Sequence, residues 1–238
     1  MFFIDWVLQR FSTKIIAVSE TVKESLIRHR ISHNIILTLP NGVDTSRYLN
    51  VRDEKLRREL NAKNEFVYIF IGRLIEQKGV DVLLKAFVKV GSGLLLLVGD
   101  GVDKEKLLNL VDKLGLQGRV YFLGIRQDVP SLLAISDCFV LPSRYEGLPI
   151  VLIEAIMSEM AIIISDFEAG KELITDGENG LIVPRENPEI LAIAMRRIQE
   201  DEDLRNRLKI QIALDAKKFS IKHHVDALFH ISNNISPV

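Results

Sequence analysis

Cysteine is nearly absent. Cys138 stands alone among the 238 residues, so no internal disulfide can form. It lies in the apolar run Cys138-Phe139-Val140-Leu141 and reads as a buried, inert thiol. That cysteine usage fits the cytoplasm. No apolar run reaches the roughly 18 residues that a membrane-spanning helix needs. The opening Met1-Phe2-Phe3-Ile4-Asp5-Trp6-Val7-Leu8 is greasy, but it has no basic start and no small-residue cleavage site. It reads as an amphipathic helix packed on the protein, with at most peripheral contact with a membrane. Basic excess is missing too. Lys and Arg number 31 against 32 Asp and Glu, a net charge of −1. A protein that wraps nucleic acid normally carries a strong positive balance, so that class is set aside. The dinucleotide fingerprint G-x-G-x-x-G fails at Gly99-Asp100-Gly101, because Lys104 stands where the third glycine would, and no Walker loop occurs. Nor do the five histidines suggest a metal site. His29 and His33 are four apart, but they straddle an expected helix end and have no evident third ligand, while His223 and His224 read as helix surface.

What the chain does have is apolar content, 47%, arranged in a regular alternation. Lys14 to Val18 reads as a strand, followed by a helix capped by Ser19 and running to about Arg30. A second strand covers 35–39, the turn Pro40-Asn41-Gly42-Val43-Asp44 follows, and a charged helix covers 53–60. Strands are then expected at 66–71, 94–98, 119–123, 138–141, 161–164 and 180–183. Helices are expected at 79–90, 103–114, 129–135 and 149–159, with a short turn near 169–175. Three helices close the chain at 187–199, 201–217 and 221–234, the last capped by Ser220. Strands separated by helix-length segments imply βαβ units and a parallel sheet covered on both faces. The fold class is therefore α/β, a Rossmann-like doubly wound parallel sheet.

Ligands of such sheets bind beyond the carboxyl ends of the strands, so the loops after strands carry the chemistry. The first is Gly72-Arg73-Leu74-Ile75-Glu76-Gln77-Lys78-Gly79. Its glycines allow sharp turning, and Arg73 and Lys78 offer a planar fork and a mobile point charge to adjacent phosphates. Another, Gly124-Ile125-Arg126-Gln127-Asp128, suits either a nucleobase held by backbone groups or an ordinary turn capped by Asp128. The strongest is Pro142-Ser143-Arg144-Tyr145-Glu146-Gly147-Leu148-Pro149, which opens a helix at Ile150. Pro149 suits the first helical position, and the free amides of Ile150 and Val151 then form an anion site at the positive end of the helix dipole. Glu154 sits inside an otherwise apolar helix, where an unpaired carboxylate would cost several kcal/mol. Something must donate to it, and sugar hydroxyls are natural donors. Glu146 reads as a helix cap, as a group reaching the reacting sugar, or as both.

Taken in order, these pieces resemble the C-terminal domain of the family-four retaining glycosyltransferases. The resemblance rests on Val18-Ser19-Glu20, Pro40 to Asp44, Gly72-Arg73-Leu74 with Lys78-Gly79, Gly99 to Gly101, Asp137 to Ser143, the pair Glu146 and Glu154, and Asp176-Gly177-Glu178-Asn179-Gly180. It runs from about residue 12 to the C-terminus. The loop Phe167 to Glu172 matches only loosely the glycine-rich turn usual there. What the resemblance implies is one half of a two-domain GT-B fold. Arg73 and Lys78 would hold the donor diphosphate, and the Ile150 and Val151 amides its phosphates. Glu154 would bind the ribose and Glu146 would lie near the transferred sugar. Gly124, Ile125, Arg126 and Asp128 would surround the base, with Gly72, Gly147, Leu148 and Pro149 shaping the site. Catalysis would fall to Glu146, Arg73 and Lys78. Fixed cations would neutralise the leaving diphosphate, so neither metal nor cofactor is expected besides the nucleotide-diphosphate sugar itself.

The resemblance also implies a division of the chain into a remnant of an N-terminal domain with its linker (1–49), a nucleotide-sugar-binding domain (50–220) and a crossover helix (221–238). Most of the acceptor-binding half is then expected to be missing, which implies a truncated or split enzyme with a separate N-terminal-domain partner. The expected reaction is hexosyl transfer to a glycan or lipid-linked acceptor with retention of configuration. Two other functions fit the same fold: a non-catalytic nucleotide-sugar-binding or partner-binding module, and a sugar-nucleotide epimerase.

Overall fold

A computed structural model describes residues 12–48, 53–60, 62 and 64–233. The apolar opening Met1 to Leu8 and the expected domain boundary at 49–50 lie outside them. A six-stranded sheet forms the centre of the molecule: β3 (Val67–Ile71), β4 (Leu94–Val98), β5 (Val120–Gly124), β6 (Cys138–Leu141), β7 (Ala161–Ser165) and β8 (Leu181–Val183). Every residue of β3, β4, β6 and β7 is buried. That pattern requires cover on both faces and explains why these segments read as continuous apolar runs rather than alternating ones.

All the pairings are parallel, in the order β5-β4-β3-β6-β7-β8. The chain therefore moves outward from β3 to β4 and β5, returns to the centre at β6, and moves outward the other way. Right-handed crossovers running in opposite directions place their helices on opposite faces. Helix α3 (Val80–Val90) makes the first crossover and packs against α8 (Pro188–Glu200). Helix α6 (Ile150–Met157) makes the β6–β7 crossover and packs against α9 (Glu202–Ala216). The remaining connections are α4 (Lys104–Leu114), α5 (Val129–Ala134) and the single turn α7 (Glu168–Lys171). Within the described residues the expected strands and helices form, with ends displaced by a residue or two, except that the turn expected near 169–175 spans only Glu168–Lys171. The thiol of Cys138 is fully buried, and burial pushes its pKa well above the ordinary value.

Capping follows the sequence. Asn187 Oδ1 accepts from the Ile190 amide at 3.0 Å, with Pro188 in the first turn, and Asp201 Oδ1 accepts from Leu204 at 2.8 Å. Asp137, just before β6, is structural. Its carboxylate accepts from the Val67 amide at 2.8 Å and from Arg57 at 3.3 Å, while Arg57 also donates to the carbonyls of Ala62, Glu65 and Ile135. Asn179 is structural too. Its side chain is buried and bonds the Thr175 amide, the Leu173 carbonyl and Asp215, which fixes the turn before β8.

Ahead of this sheet, β1 (Ile15–Ala17) pairs in parallel with β2 (Ile36–Thr38), with α1 (Glu20–Arg28) as the crossover. Ser19 caps α1 as expected, accepting from the Val22 amide at 3.1 Å. The segment Pro40 to Asp44 then meets the end of the chain. Val43 donates to the Phe219 carbonyl at 2.8 Å and accepts from Ile221 at 2.9 Å, where α10 (Ile221–Asn233) begins. His224 departs from its surface reading, because it is half-buried with Nδ1 2.7 Å from the Pro40 carbonyl. Helix α2 (Glu54–Glu59), capped by Asp53, leads into β3.

Candidate functional site at the switch point of the sheet

The sheet reverses its order between β3 and β6, and in an open α/β sheet that reversal opens the crevice for ligands. Two loops flank it: 72–79 after β3 and 142–149 after β6. They are the two that the sequence singles out most strongly. Hydrogen bonds join them into one unit. The Arg144 amide donates to the Gln77 carbonyl at 2.8 Å, and the Gln77 side-chain amide donates to the Tyr145 carbonyl at 2.8 Å.

Glycine permits this closeness. At Gly79, with φ of +65°, a Cβ would lie 2.1 Å from the Pro142 carbonyl oxygen. Gly99, in the loop after β4, has φ of +126°, and a Cβ there would meet the Gly72 carbonyl at 2.0 Å. Gly99 and Gly101 thus let a third loop pack against the first.

Lys78 and Glu146 come together. Nζ lies 2.5 Å from Oε1, and the side chains are only 11% and 8% exposed. Ser143 donates to the same carboxylate oxygen at 2.7 Å. Arg73, by contrast, is exposed and has no ion pair among the described residues. The loop thus presents one free guanidinium and one ammonium held by a carboxylate.

Helix α6 starts at the rim of the same crevice. Pro149 is its N-cap, with φ −73° and ψ 111°, and not its first helical residue. The shift of one position leaves the Ile150 and Val151 amides at the helix entrance, where no earlier turn exists to bond them. Leu152, Ile153, Ala155 and Ile156 are buried, so Ile150, Val151, Glu154 and Ser158 form one narrow wet stripe. Glu154 is half-buried on that stripe, and its Oε1 accepts from the Tyr48 hydroxyl at 2.6 Å. The donor that the sequence argument required is thus supplied partly by the chain itself.

A family model described as glycosyl transferases group 1 matches residues 51–214. The chain belongs to that family. An uncharacterized glycosyltransferase of Methanocaldococcus jannaschii is 33% identical over 205 residues, covering 71% of this chain and 50% of the relative. The lipopolysaccharide core biosynthesis glycosyltransferase LpsE of Rhizobium meliloti is 34% identical over 173 residues, covering 73% of the chain and 50% of LpsE. The chain thus spans about half the length of these curated relatives. Among solved structures, Anabaena HepE in complex with UDP-glucose superposes with a TM-score of 0.89 at 25% identity, covering 95% of this chain and 65% of HepE. These similarities place the fold as the Rossmann-like half of a GT-B glycosyltransferase.

The remaining expected site residues sit apart from the paired loops in the sheet order. Gly124 ends β5, the edge strand, with φ of +67°, and Ile125 is 81% exposed. Arg126 grips Asp128 with two hydrogen bonds of 2.8 and 2.5 Å, and this pairing holds the Asp128 carboxyl below its ordinary pKa. Asp128 occupies the N-cap position of α5, yet its side chain makes no capping bond. On the other side of the crevice, Ser19 donates to the Gly147 carbonyl at 3.0 Å, tying α1 to the Glu146–Pro149 loop. Glu172 accepts from the Glu20 and Thr21 amides, both at 2.8 Å, and from the Thr21 hydroxyl at 2.6 Å. Sequence reasoning missed Tyr48 and Glu172. Each acts on a partner more than a hundred residues away, and no local pattern marks them.

Proposed function

We propose that the chain is the donor-binding half of a retaining glycosyltransferase, which transfers a hexosyl group from a nucleotide-diphosphate sugar to a glycan or lipid-linked acceptor. The observation that carries this reading is the convergence of Arg73, the Lys78–Glu146 pair and the entrance of α6 at the switch point of the sheet. A nucleotide diphosphate fits the chemistry of that convergence. The diphosphate meets Arg73, Lys78 and the amides of Ile150 and Val151. Glu154 lies four residues further along the stripe, about 6 Å along the helix axis, and accepts the ribose hydroxyls. Gly124, Ile125, Arg126 and Asp128 form the outer wall for the base.

In the reaction, the bond between the anomeric carbon and the diphosphate oxygen breaks, an acceptor hydroxyl oxygen bonds the same carbon and its proton passes to the leaving diphosphate, on which negative charge develops as the bond opens. Arg73, Lys78 and the helix dipole stabilise that charge with groups fixed before the reaction begins. Glu146, held by Lys78 and Ser143, faces the transferred sugar. Support for a nucleotide-sugar donor comes from HepE, solved with UDP-glucose, and support for a glycan acceptor comes from LpsE, named for lipopolysaccharide core biosynthesis.

Residues 1–49 close a preceding domain and linker, 50–220 bind the donor, and 221–238 cross back. The acceptor side is supplied by an N-terminal domain or subunit that meets α10. Along that helix Ile221, Val225 and Phe229 recur every fourth residue and are 42%, 38% and 64% exposed. The reaction is assigned to the cytoplasm. No helix of the described residues is long and apolar enough to cross a membrane.

Calorimetric titration of the chain with UDP-, GDP- and ADP-sugars tests the donor assignment. One nucleotide class is expected to bind, and failure of all three at millimolar concentration overturns it.

A further inference from the structure

Tyr48 lies in a segment that precedes the large sheet, yet its hydroxyl reaches into α6 and stops 2.6 Å from Glu154 Oε1, across 106 positions of sequence. The delivery is built. Asp44 Oδ1 accepts from both the amide and the hydroxyl of Ser46, at 3.1 and 2.7 Å, and closes the helical turn Thr45–Arg47. The Tyr48 amide then bonds the Thr45 carbonyl at 3.1 Å, and the residue as a whole is only 5% exposed. Behind the turn, Val43 is bonded on both sides to the chain at Phe219 and Ile221. A buried tyrosine held this firmly does not sample many orientations.

Glu154 needs such a partner. The last torsion of a glutamate is broad and roughly two-fold, so a carboxylate on a half-exposed stripe is otherwise free to turn. Burial, followed by the bond to Glu154, pushes the Tyr48 hydroxyl well above its ordinary pKa, so it stays a donor throughout the working range. Among the described residues the other oxygen of Glu154 has no protein donor.

We propose that Tyr48 is a positioning residue of the donor site, fixing the Glu154 carboxylate so that its free oxygen meets the ribose hydroxyls of the nucleotide. This rests on the donor-binding reading above. It adds that ribose recognition is set by the segment that joins the two halves of the fold, and not by α6 alone.

The test is a thermodynamic cycle. Dissociation constants of UDP, GDP and ADP and of their 2′,3′-dideoxy forms are measured for the wild-type chain and for Tyr48→Phe, with melting temperatures recorded alongside. For the nucleotide that binds, Y48F is expected to weaken the ribo form about three- to tenfold, the worth of one hydrogen bond, and to leave the dideoxy form nearly unchanged. Equal weakening of both forms would mean a merely structural tyrosine and overturns the proposal, as does no weakening of either. If no nucleotide binds the wild-type chain, the donor-binding reading fails and this proposal fails with it. Should Y48F melt too low to titrate, 3-fluorotyrosine at position 48 keeps the ring volume and sharpens the donor. It should then tighten the ribo form relative to the dideoxy form, and no change in that ratio overturns the proposal.

Discussion

Lys78 Nζ sits 2.5 Å from Glu146 Oε1, and this ion pair ties the loop after β3 to the loop after β6. Both side chains are nearly buried, so each charge depends on the other for the solvation it gave up. Removing one partner of such a pair leaves a buried charge uncompensated and costs about 3 kcal/mol or more. Arg73, exposed on the same loop, has no such structural debt.

The two cations should therefore separate in their effects. Lys78→Ala is expected to lower the stability by about 3 kcal/mol, whereas Arg73→Ala should stay within about 0.5 kcal/mol of the wild type. Both should weaken nucleotide-sugar binding. Urea denaturation with parallel titration calorimetry reads both quantities, and an R73A variant as unstable as K78A would contradict the assignment.

Gly79 carries a second prediction. Its φ of +65° alone disfavours a side chain, and an added Cβ would also lie 2.1 Å from the Pro142 carbonyl, backbone that cannot swing away. Gly79→Ala should cost about 2 kcal/mol or more, larger than the usual penalty for left-handed geometry alone. Gly115, with φ of +66° and open space around it, provides the control. Gly115→Ala should cost about 1 kcal/mol. Equal losses at the two positions would show that the loops are not packed as described.

Much of this architecture is legible in the sequence because it is local. Apolar runs such as Leu94 to Val98, bounded by glycines and followed by helical spacing, mark the strands within a residue or two. The order of loops likewise points to the Arg73–Lys78 and Glu146–Glu154 segments. What local patterns cannot show is which side chains meet. Lys78 and Glu146 read as separate ligand groups, yet they pair across 68 positions. Glu154 clearly needs a donor, but nothing near it in sequence identifies Tyr48. The turn Asp176 to Gly180 carries part of the family resemblance, but its sequence does not show that the Asn179 side chain is taken up by Thr175, Leu173 and Asp215.

Acid should weaken the link between α3 and the site loop. Burial raises the Asp81 pKa, but the hydrogen bonds and charge of Arg144 outweigh it, with Lys85 adding to them, and hold the carboxyl below its ordinary range. A carboxyl depressed in the folded state contributes stability that is fully present above its unfolded pKa, about 3.9, and lost as pH falls through the folded value. The wild type should therefore be more stable than Asp81→Asn at pH 7, and the gap should shrink as the pH falls below about 4. Urea midpoints across that range measure it, and a gap independent of pH would refute the linkage.

Glu172 is a helix cap supplied from another element. Its two oxygens accept from the Glu20 and Thr21 amides, while Ser19, at the cap of the same helix, donates to the Gly147 carbonyl. The entrance of α1 is thus fastened to both α7's end and the Glu146–Pro149 loop. Replacing Glu172 by Ala leaves two amides at a helix entrance without their acceptor, and losing a cap costs about 1 kcal/mol. The loss should be local. Hydrogen exchange in Glu172→Ala should speed up at the Glu20 and Thr21 amides, while the strands β3, β4, β6 and β7 keep their protection. Glu172→Gln retains an acceptor oxygen and should fall between the two. If exchange at Glu20 and Thr21 is unchanged by E172A, the carboxylate is not what holds α1 against the loop.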